Sequence, residues 1–198
     1  MSDRTLGPDD YRAAALPYGI DPVYMEAVAE VESAGSGFLA DGRVKILFEG
    51  HVFWRRLQAY GIDPMQHVSG NGDVLYHLRT KRHYVGGAGE YDRLNRAARI
   101  HEVAAYDATS WGKFQILGEH AVRLGYGDSV RFAGQMALHE REHLDAFLWY
   151  CREYGLIDEL RRQDTPAFAR AYNGPRYTRN RYDEKIDRAY RKLKQANR

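Results

Sequence analysis

One cysteine in 198 residues excludes an internal disulfide framework, and Cys151 has no second cysteine or histidine at zinc-ribbon spacing. It reads as a buried free thiol in a helical stretch. Long apolar runs are missing too: no uninterrupted stretch approaches the roughly 20 residues that a helix needs to cross a bilayer. The opening Met-Ser-Asp-Arg-Thr-Leu-Gly-Pro lacks the basic and apolar regions of a secretory leader, so synthesis in a cytoplasm is expected. A strong charge of either sign is also lacking, the formal net charge being +2. That balance is uneven, because residues 161–198 hold 12 Lys or Arg against 4 Asp or Glu. A basic end of this kind favours an anionic surface such as nucleic acid, lipid headgroups or cell-wall polymer.

A hydrophobic content of 44% supports a proper core, and one domain is expected over 1–198, with its centre at about 20–190. Asp21-Pro22 is a strong helix start: the aspartate accepts from free backbone N–H groups, and the proline gives up a donor that had no partner. A helix over about 22–33 follows. Gly-Ile-Asp-Pro recurs at 61–64 in different flanking sequence, which predicts a second, similar start without a duplication. Between them, a turn at Asp41-Gly42 and the apolar run Val44 to Phe48 predict a small β-element near 40–50. Helical stretches fit 51–60, 89–106, 118–124, 129–154, 164–172 and 180–196, with glycine-rich breaks at 69–72, 86–89 and 125–127. The expected fold is mainly α-helical with this one small β-element.

Three glutamates lie close together on the 22–33 helix. At about 100° per residue, Tyr24, Ala27, Val28 and Val31 share one side. Glu26 and Glu30 fall away from it, as a solvated face would. Glu32 lies at its edge, on the last turn before Ser33-Ala34-Gly35-Ser36-Gly37 opens the backbone. A partly desolvated carboxyl there stays protonated near neutral pH and is suited to general-acid work, whereas a helix-end glutamate with its head in water is not. The wheel alone leaves both readings open.

Four stretches bear on that choice: Glu30-Val31-Glu32-Ser33-Ala34-Gly35-Ser36-Gly37-Phe38, Ile46-Leu47-Phe48-Glu49-Gly50-His51, Thr109-Ser110-Trp111-Gly112-Lys113-Phe114-Gln115-Ile116 and Ala171-Tyr172-Asn173-Gly174-Pro175. Together they resemble the phage and bacterial N-acetylmuramidase family, endolysin domains of the lysozyme-like superfamily related to goose-type lysozymes and soluble lytic transglycosylases. The resemblance runs from about residue 20 to about 190. It implies a lysozyme-like (α+β) domain that cleaves peptidoglycan without a cofactor, with Glu32 of the Glu32-Ser33 pair as the acid. It also implies that the Gly112 to Ile116 segment lines a sugar groove and that Tyr172-Asn173 belongs to the site. The transglycosylase pattern continues from Glu-Ser to Asn-Pro, whereas Gly35-Ser36-Gly37-Phe38 fits the muramidase branch.

Glycoside hydrolysis needs a proton donor for the leaving oxygen and, in an inverting enzyme, a carboxylate that activates water. Glu49, in the apolar setting Ile46-Leu47-Phe48, is the leading candidate for the second group, with Asp41 behind it; a buried structural carboxylate paired with an arginine is the alternative for Glu49. Gln115 and Asn173 donate and accept hydrogen bonds, which suits acetamido and hydroxyl groups. Phe114, Trp111, Tyr172 and Tyr177 offer rings for sugar faces, and Ser33 completes the expected site; most aromatic residues must still serve packing. Lytic transglycosylation of the same bond stays open.

Two rival readings compete. His139-Glu140-Arg141-Glu142-His143 has the His-Glu-x-x-His spacing of a zinc peptidase. Charged residues inside the motif and the absence of a Gly-x-x-His continuation favour packed or hydrogen-bonded histidines beside Phe132, Met136 and Phe147. The basic C-terminal stretch raises nucleic-acid binding, but Ile186, Ala189, Tyr190 and Leu193 recur at helical spacing, which predicts an amphipathic helix. The expected partner is therefore the glycan strand of peptidoglycan, with electrostatic contact to the anionic envelope, no specific nucleic acid, and a monomeric state. No separate wall-binding module is expected. The setting expected is a phage endolysin that reaches the wall after release from the host cytoplasm, or a bacterial toxin delivered by a contact-dependent machine.

Overall fold

Both Gly-Ile-Asp-Pro stretches start a helical turn, for one local reason. Asp21 Oδ1 accepts from the backbone N–H of Val23 at 2.9 Å, and Asp63 Oδ1 accepts from Met65 N–H at 3.0 Å. The first continues as an eleven-residue α-helix; the second stops as a 3-10 turn, Pro64–His67. The computed structural model describes residues 4–33, 35–174, 178 and 181–196. In chain order its elements are α1 (Pro8–Ala15), α2 (Pro22–Glu32), β1 (Ile46–Phe48), α3 (Gly50–Ala59), α4 (Gly89–Ala98), α5 (Glu102–Asp107), β2 (Thr109–Trp111), β3 (Ile116–Leu117), α6 (Ser129–Met136), α7 (Glu140–Glu153), α8 (Ile157–Arg162), α9 (Thr165–Asn173) and α10 (Tyr182–Ala196). The described chain is mainly helical with one small sheet, as the sequence predicts.

Two of the expected long helices are each split, and a histidine does it both times. His101 Nδ1 accepts from Ala104 N–H at 3.1 Å and starts α5; His139 Nδ1 accepts from Arg141 N–H at 2.9 Å and starts α7. Either imidazole does the work usually given to Ser, Thr, Asp or Asn. The predicted 118–124 helix is a single 3-10 turn, Gly118–His120, while α1 and α8 were not expected.

Packing divides the chain into two compact units: residues up to Ser36 together with those from His139 onward, and Gly37–Leu138. In the first unit, α2 buries Tyr24, Met25, Ala27, Val28 and Ala29 and packs against α1 and α10. Ile186 of α10 is fully buried, Tyr190 meets Tyr24 edge-on at 5.4 Å, and the Tyr190 hydroxyl donates to Asp21 Oδ2 at 2.6 Å. Tyr24 OH and Thr165 Oγ1 are 3.0 Å apart, and Thr165 donates to Asp187 at 2.8 Å. The apolar side of the basic C-terminal helix is thus occupied by protein, as its spacing predicts, and its cations lie on the exposed side, where Lys194 also donates to the Tyr190 hydroxyl at 3.1 Å. Phe147 and Phe168 are fully buried, each contributing about 1.5–3 kcal/mol through lost apolar hydration.

In the second unit, β1, β2 and β3 form an antiparallel sheet in that order, with Ile46 opposite Trp111 and Ser110 opposite Leu117. A bridge between Phe38 and Val44 precedes it. The β-element expected near 40–50 is therefore present, and its partner strand, Thr109–Trp111, comes from the Thr109 to Ile116 motif. A buried ion pair anchors the end of β1. Arg93 donates to Glu90 Oε2 at 2.7 Å and to the Phe48 carbonyl at 2.9 Å, while Glu90 accepts from the N–H groups of Phe48, Val85 and Gly86. Gly50 follows at once because a Cβ there would collide with the Tyr76 ring and the Val74 carbonyl.

Candidate active site

Glu32 is the last residue of α2, and the chain turns extended at Ser33 (φ −103°, ψ 138°), whose N–H still reaches the Ala29 carbonyl at 3.1 Å. Glu30 is exposed and Glu32 is half-buried. Glu26 is half-buried as well, and burial followed by the Glu30 charge raises its pKa, which corrects the expectation of a simple solvated face. Burial lifts the Glu32 carboxyl from an ordinary 4.5 to about 7. The opposing influence is a hydrogen bond: Asn173 Nδ2, at the end of α9, donates to Glu32 Oε1 at 2.8 Å.

Asn173 is held by its neighbour in sequence. The Tyr172 ring stacks on Phe168 at 5.5 Å and meets Phe147 at 5.3 Å and Tyr150 at 5.9 Å. Burial pushes both the Tyr172 phenol and the Cys151 thiol well up, and Glu32 is close enough that its charge raises each further. Glu32 therefore faces groups that remain neutral, and a proton on it is favoured. Replacing Asn173 with alanine removes a donor that favours the ionised form. The basic limb of a kcat/KM profile is expected to move to higher pH, with activity at pH 6 lowered because the carboxyl loses its orienting bond.

Glu49 stands where β1 passes into α3. Its N–H donates to the Ala108 carbonyl at 2.9 Å, and its own carbonyl accepts from Val52 and Phe53. The side chain is 16% exposed. Tyr84 OH donates to Oε2 at 3.2 Å, and His51 Nε2 lies 3.8 Å from the same oxygen. Burial lowers the His51 pKa, Glu49 opposes that, and Arg79 and Arg55 add to it. His51 Nδ1 is buried and without a hydrogen-bond partner among the described residues, so the ring's polar reach is through Nε2 toward Glu49. No arginine or lysine pairs with Glu49 among the described residues. Asp41 differs: it is bound by the Arg43 guanidinium at 2.9 and 2.6 Å and by Arg43 N–H at 3.0 Å, bonds that hold its carboxyl below the usual range.

Gln115 closes the turn between β2 and β3 in a left-handed conformation (φ 52°), and its Nε2 donates to the carbonyls of Gly112 at 2.8 Å and Lys45 at 3.2 Å. Phe114 and Trp111 are each 4% exposed, and the Trp111 indole stacks on Tyr106 and donates to its carbonyl. Both rings are packed into the protein, which corrects the expectation that they present faces to a sugar. Tyr177 and Pro175 lie outside the described residues.

The family pattern described as N-acetylmuramidase matches residues 21–194. The chain belongs to the N-acetylmuramidase family. A solved structure of the Burkholderia AP3 phage endolysin is 38% identical to this muramidase, superposes with a TM-score of 0.89, and is matched over 98% of this chain and 73% of its own. A search of curated proteins gave no match.

In the muramidase the His-Glu-x-x-His stretch has other tasks. His139 caps α7, Glu140 Oε2 accepts from Leu6 N–H at 3.2 Å, and His143 is buried. No three His, Cys, Asp or Glu side chains among the described residues come together as a metal set. The structure thus gathers Glu32, Tyr172 and Asn173 in the first unit, with Ser33 next to Glu32 in sequence. In the second unit Glu49 lies with Tyr84 and His51, and Gln115 is tied to a different turn. Tyr84 and His51 escaped sequence reasoning; His51, two residues after Glu49, was the available signal.

Proposed function

We propose that this muramidase hydrolyses the β-1,4 bond between N-acetylmuramic acid and N-acetylglucosamine in peptidoglycan, with Glu32 protonating the leaving oxygen. The observation that carries the reading is the desolvated carboxyl at the end of α2, raised to about 7 and oriented by Asn173. An acid of that strength holds its proton at neutral pH and releases it as the glycosidic bond breaks and positive charge builds on the ring. The Asn173 bond becomes stronger when Glu32 ionises, which favours the transition state over the ground state.

Glu49 is assigned the second role, removing a proton from the attacking water. Two polar groups converge on its Oε2, and its charge is not tied up by a guanidinium. Asp41, held by Arg43, is a poorer base. Glu49→Ala is expected to lower kcat by about 10²–10⁴, the usual contribution of a positioned base, with azide restoring part of the rate by attacking without one. Full activity in that variant would remove Glu49 from the mechanism.

The biological setting that fits is an endolysin acting on the wall after release from the cytoplasm. Mass spectrometry of borohydride-reduced digests of purified peptidoglycan tests the reaction. Reduced N-acetylmuramic acid ends are expected. Ends carrying 1,6-anhydromuramic acid would make the enzyme a transglycosylase, and reduced N-acetylglucosamine ends would place the cut at the other linkage.

A further inference from the structure

The segment between Tyr76 and Tyr84 is out of keeping with the charge pattern around it. Residues 74–89 contain Arg79, Lys81 and Arg82 and no acidic residue. All three cations are exposed, and among the described residues none has an ion pair. Elsewhere in the same unit Arg43, Arg55, Arg56, Arg93, Arg96 and Arg131 each pair with an aspartate or glutamate. Arg99 on α4 is also exposed and has no ion pair among the described residues, but Arg79, Lys81 and Arg82 stand within four residues of one another, a local concentration of positive charge that the unit does not balance.

The strap is built, and both its ends belong to the surroundings of Glu49. Before it, Tyr76 receives the Gly50 N–H on its hydroxyl at 3.2 Å and stacks beside His51. After it, Tyr84 donates to Glu49. Within it, Arg82 N–H donates to Thr80 Oγ1 at 3.1 Å, Tyr84 N–H to the Lys81 carbonyl at 3.1 Å, and His83 packs on Tyr76 at 4.8 Å. Burial lowers the His51 pKa and raises that of Tyr84, and Arg79 is close enough for its charge to add to the first shift and oppose the second.

We propose that Arg79, Lys81 and Arg82 bind the free carboxylates that peptidoglycan carries on its stem peptides, selecting charged wall glycan over neutral amino-sugar polymer. The inference rests on the muramidase reading and adds the substrate feature that is recognised. Guanidinium groups pair with carboxylates through two parallel hydrogen bonds, and an ammonium adds an undirected charge. Contacts of this kind sit at the rim of a site, so they act on substrate affinity and are weakened by salt.

The test compares wild type with the Arg79→Gln/Lys81→Gln/Arg82→Gln variant on two polymers: soluble glycan strands with stem peptides, and the same strands with carboxylates amidated by carbodiimide coupling. On native strands the variant is expected to show a roughly tenfold higher KM with little change in kcat, the sum of three exposed charge contacts. On amidated strands the two enzymes are expected to have the same KM. Arg79→Gln alone, with an unchanged melting temperature, guards against a folding defect in the triple variant. Equal KM values on native strands, or the same loss on both polymers, would overturn the proposal. So would an unchanged KM accompanied by lost binding to phosphatidylglycerol vesicles, which would assign the strap to lipid. Analysis of reducing ends in the same reactions reports separately on the muramidase reading, so its failure and that of the strap are distinguishable.

Discussion

Glu32→Gln is expected to leave a folded protein that no longer releases muropeptides, with kcat lowered by about 10³ or more, since a positioned general acid alone contributes about 10²–10⁴. The substitution keeps the size of the side chain and a carbonyl oxygen for Asn173 Nδ2, so the geometry at the end of α2 is retained. Stability should respond in the opposite sense to activity. The raised pKa means that the native state holds the Glu32 proton more tightly than the unfolded chain does. That stabilisation is complete below an unfolded value near 4.5 and is lost as pH rises through about 7. At pH 8 the wild type carries a desolvated charge that the glutamine variant lacks, so the variant is expected to melt higher there and equally at pH 4. Calorimetry at the two pH values, beside a turbidity assay, checks both halves. Lysis by the variant at the wild-type rate would remove Glu32 from catalysis.

Arg93→Ala is the change with the largest expected effect on folding. Arg93 and Glu90 are 3% and 0% exposed at their side chains, so deleting the cation leaves a carboxylate without its partner in the interior. A loss of about 3–5 kcal/mol follows, which for a chain of this size corresponds to a fall in melting temperature of about 10 °C. The damage should also reach the site, because Arg93 holds the Phe48 carbonyl and Glu90 the Phe48 N–H, one residue before Glu49. Removing both charges with Glu90→Gln/Arg93→Met should cost less than Arg93→Ala alone, since no uncompensated ion remains. Thermal melts of the three proteins test this, and equal stability of Arg93→Ala and wild type would contradict it.

What the sequence made legible was local. Asp21-Pro22 defines the start of α2 by a cap and a missing donor, and the wheel brings Glu32 to the edge of the apolar side. The run Ile46 to Phe48 announces a strand. The breaks at His101 and His139 were hidden because apolar periodicity continues across them and histidine is an uncommon cap. Phe114 and Trp111 looked like site residues because they lie in the family motif, yet their burial is decided by packing around β2 and β3 that no single stretch reveals. Glu90 and Arg93 sit three residues apart on an amphipathic helix, where such pairs are usually solvated. Only the tertiary fold, which brings Phe48, Asp73 and Val85 to them, takes them out of water. The neighbours of Glu49 were hidden for the same reason: Tyr84 arrives from 35 residues away.

The most direct measurement is a carbon-13 NMR titration of the protein labelled at glutamate side-chain carboxyls, with Glu32→Gln supplying the assignment. One carboxyl is expected to titrate at about 7 and to be missing from the variant's spectra. A Glu32 resonance that titrates at the ordinary 4.5 would show a carboxylate already ionised at neutral pH, and would contradict its role as the acid.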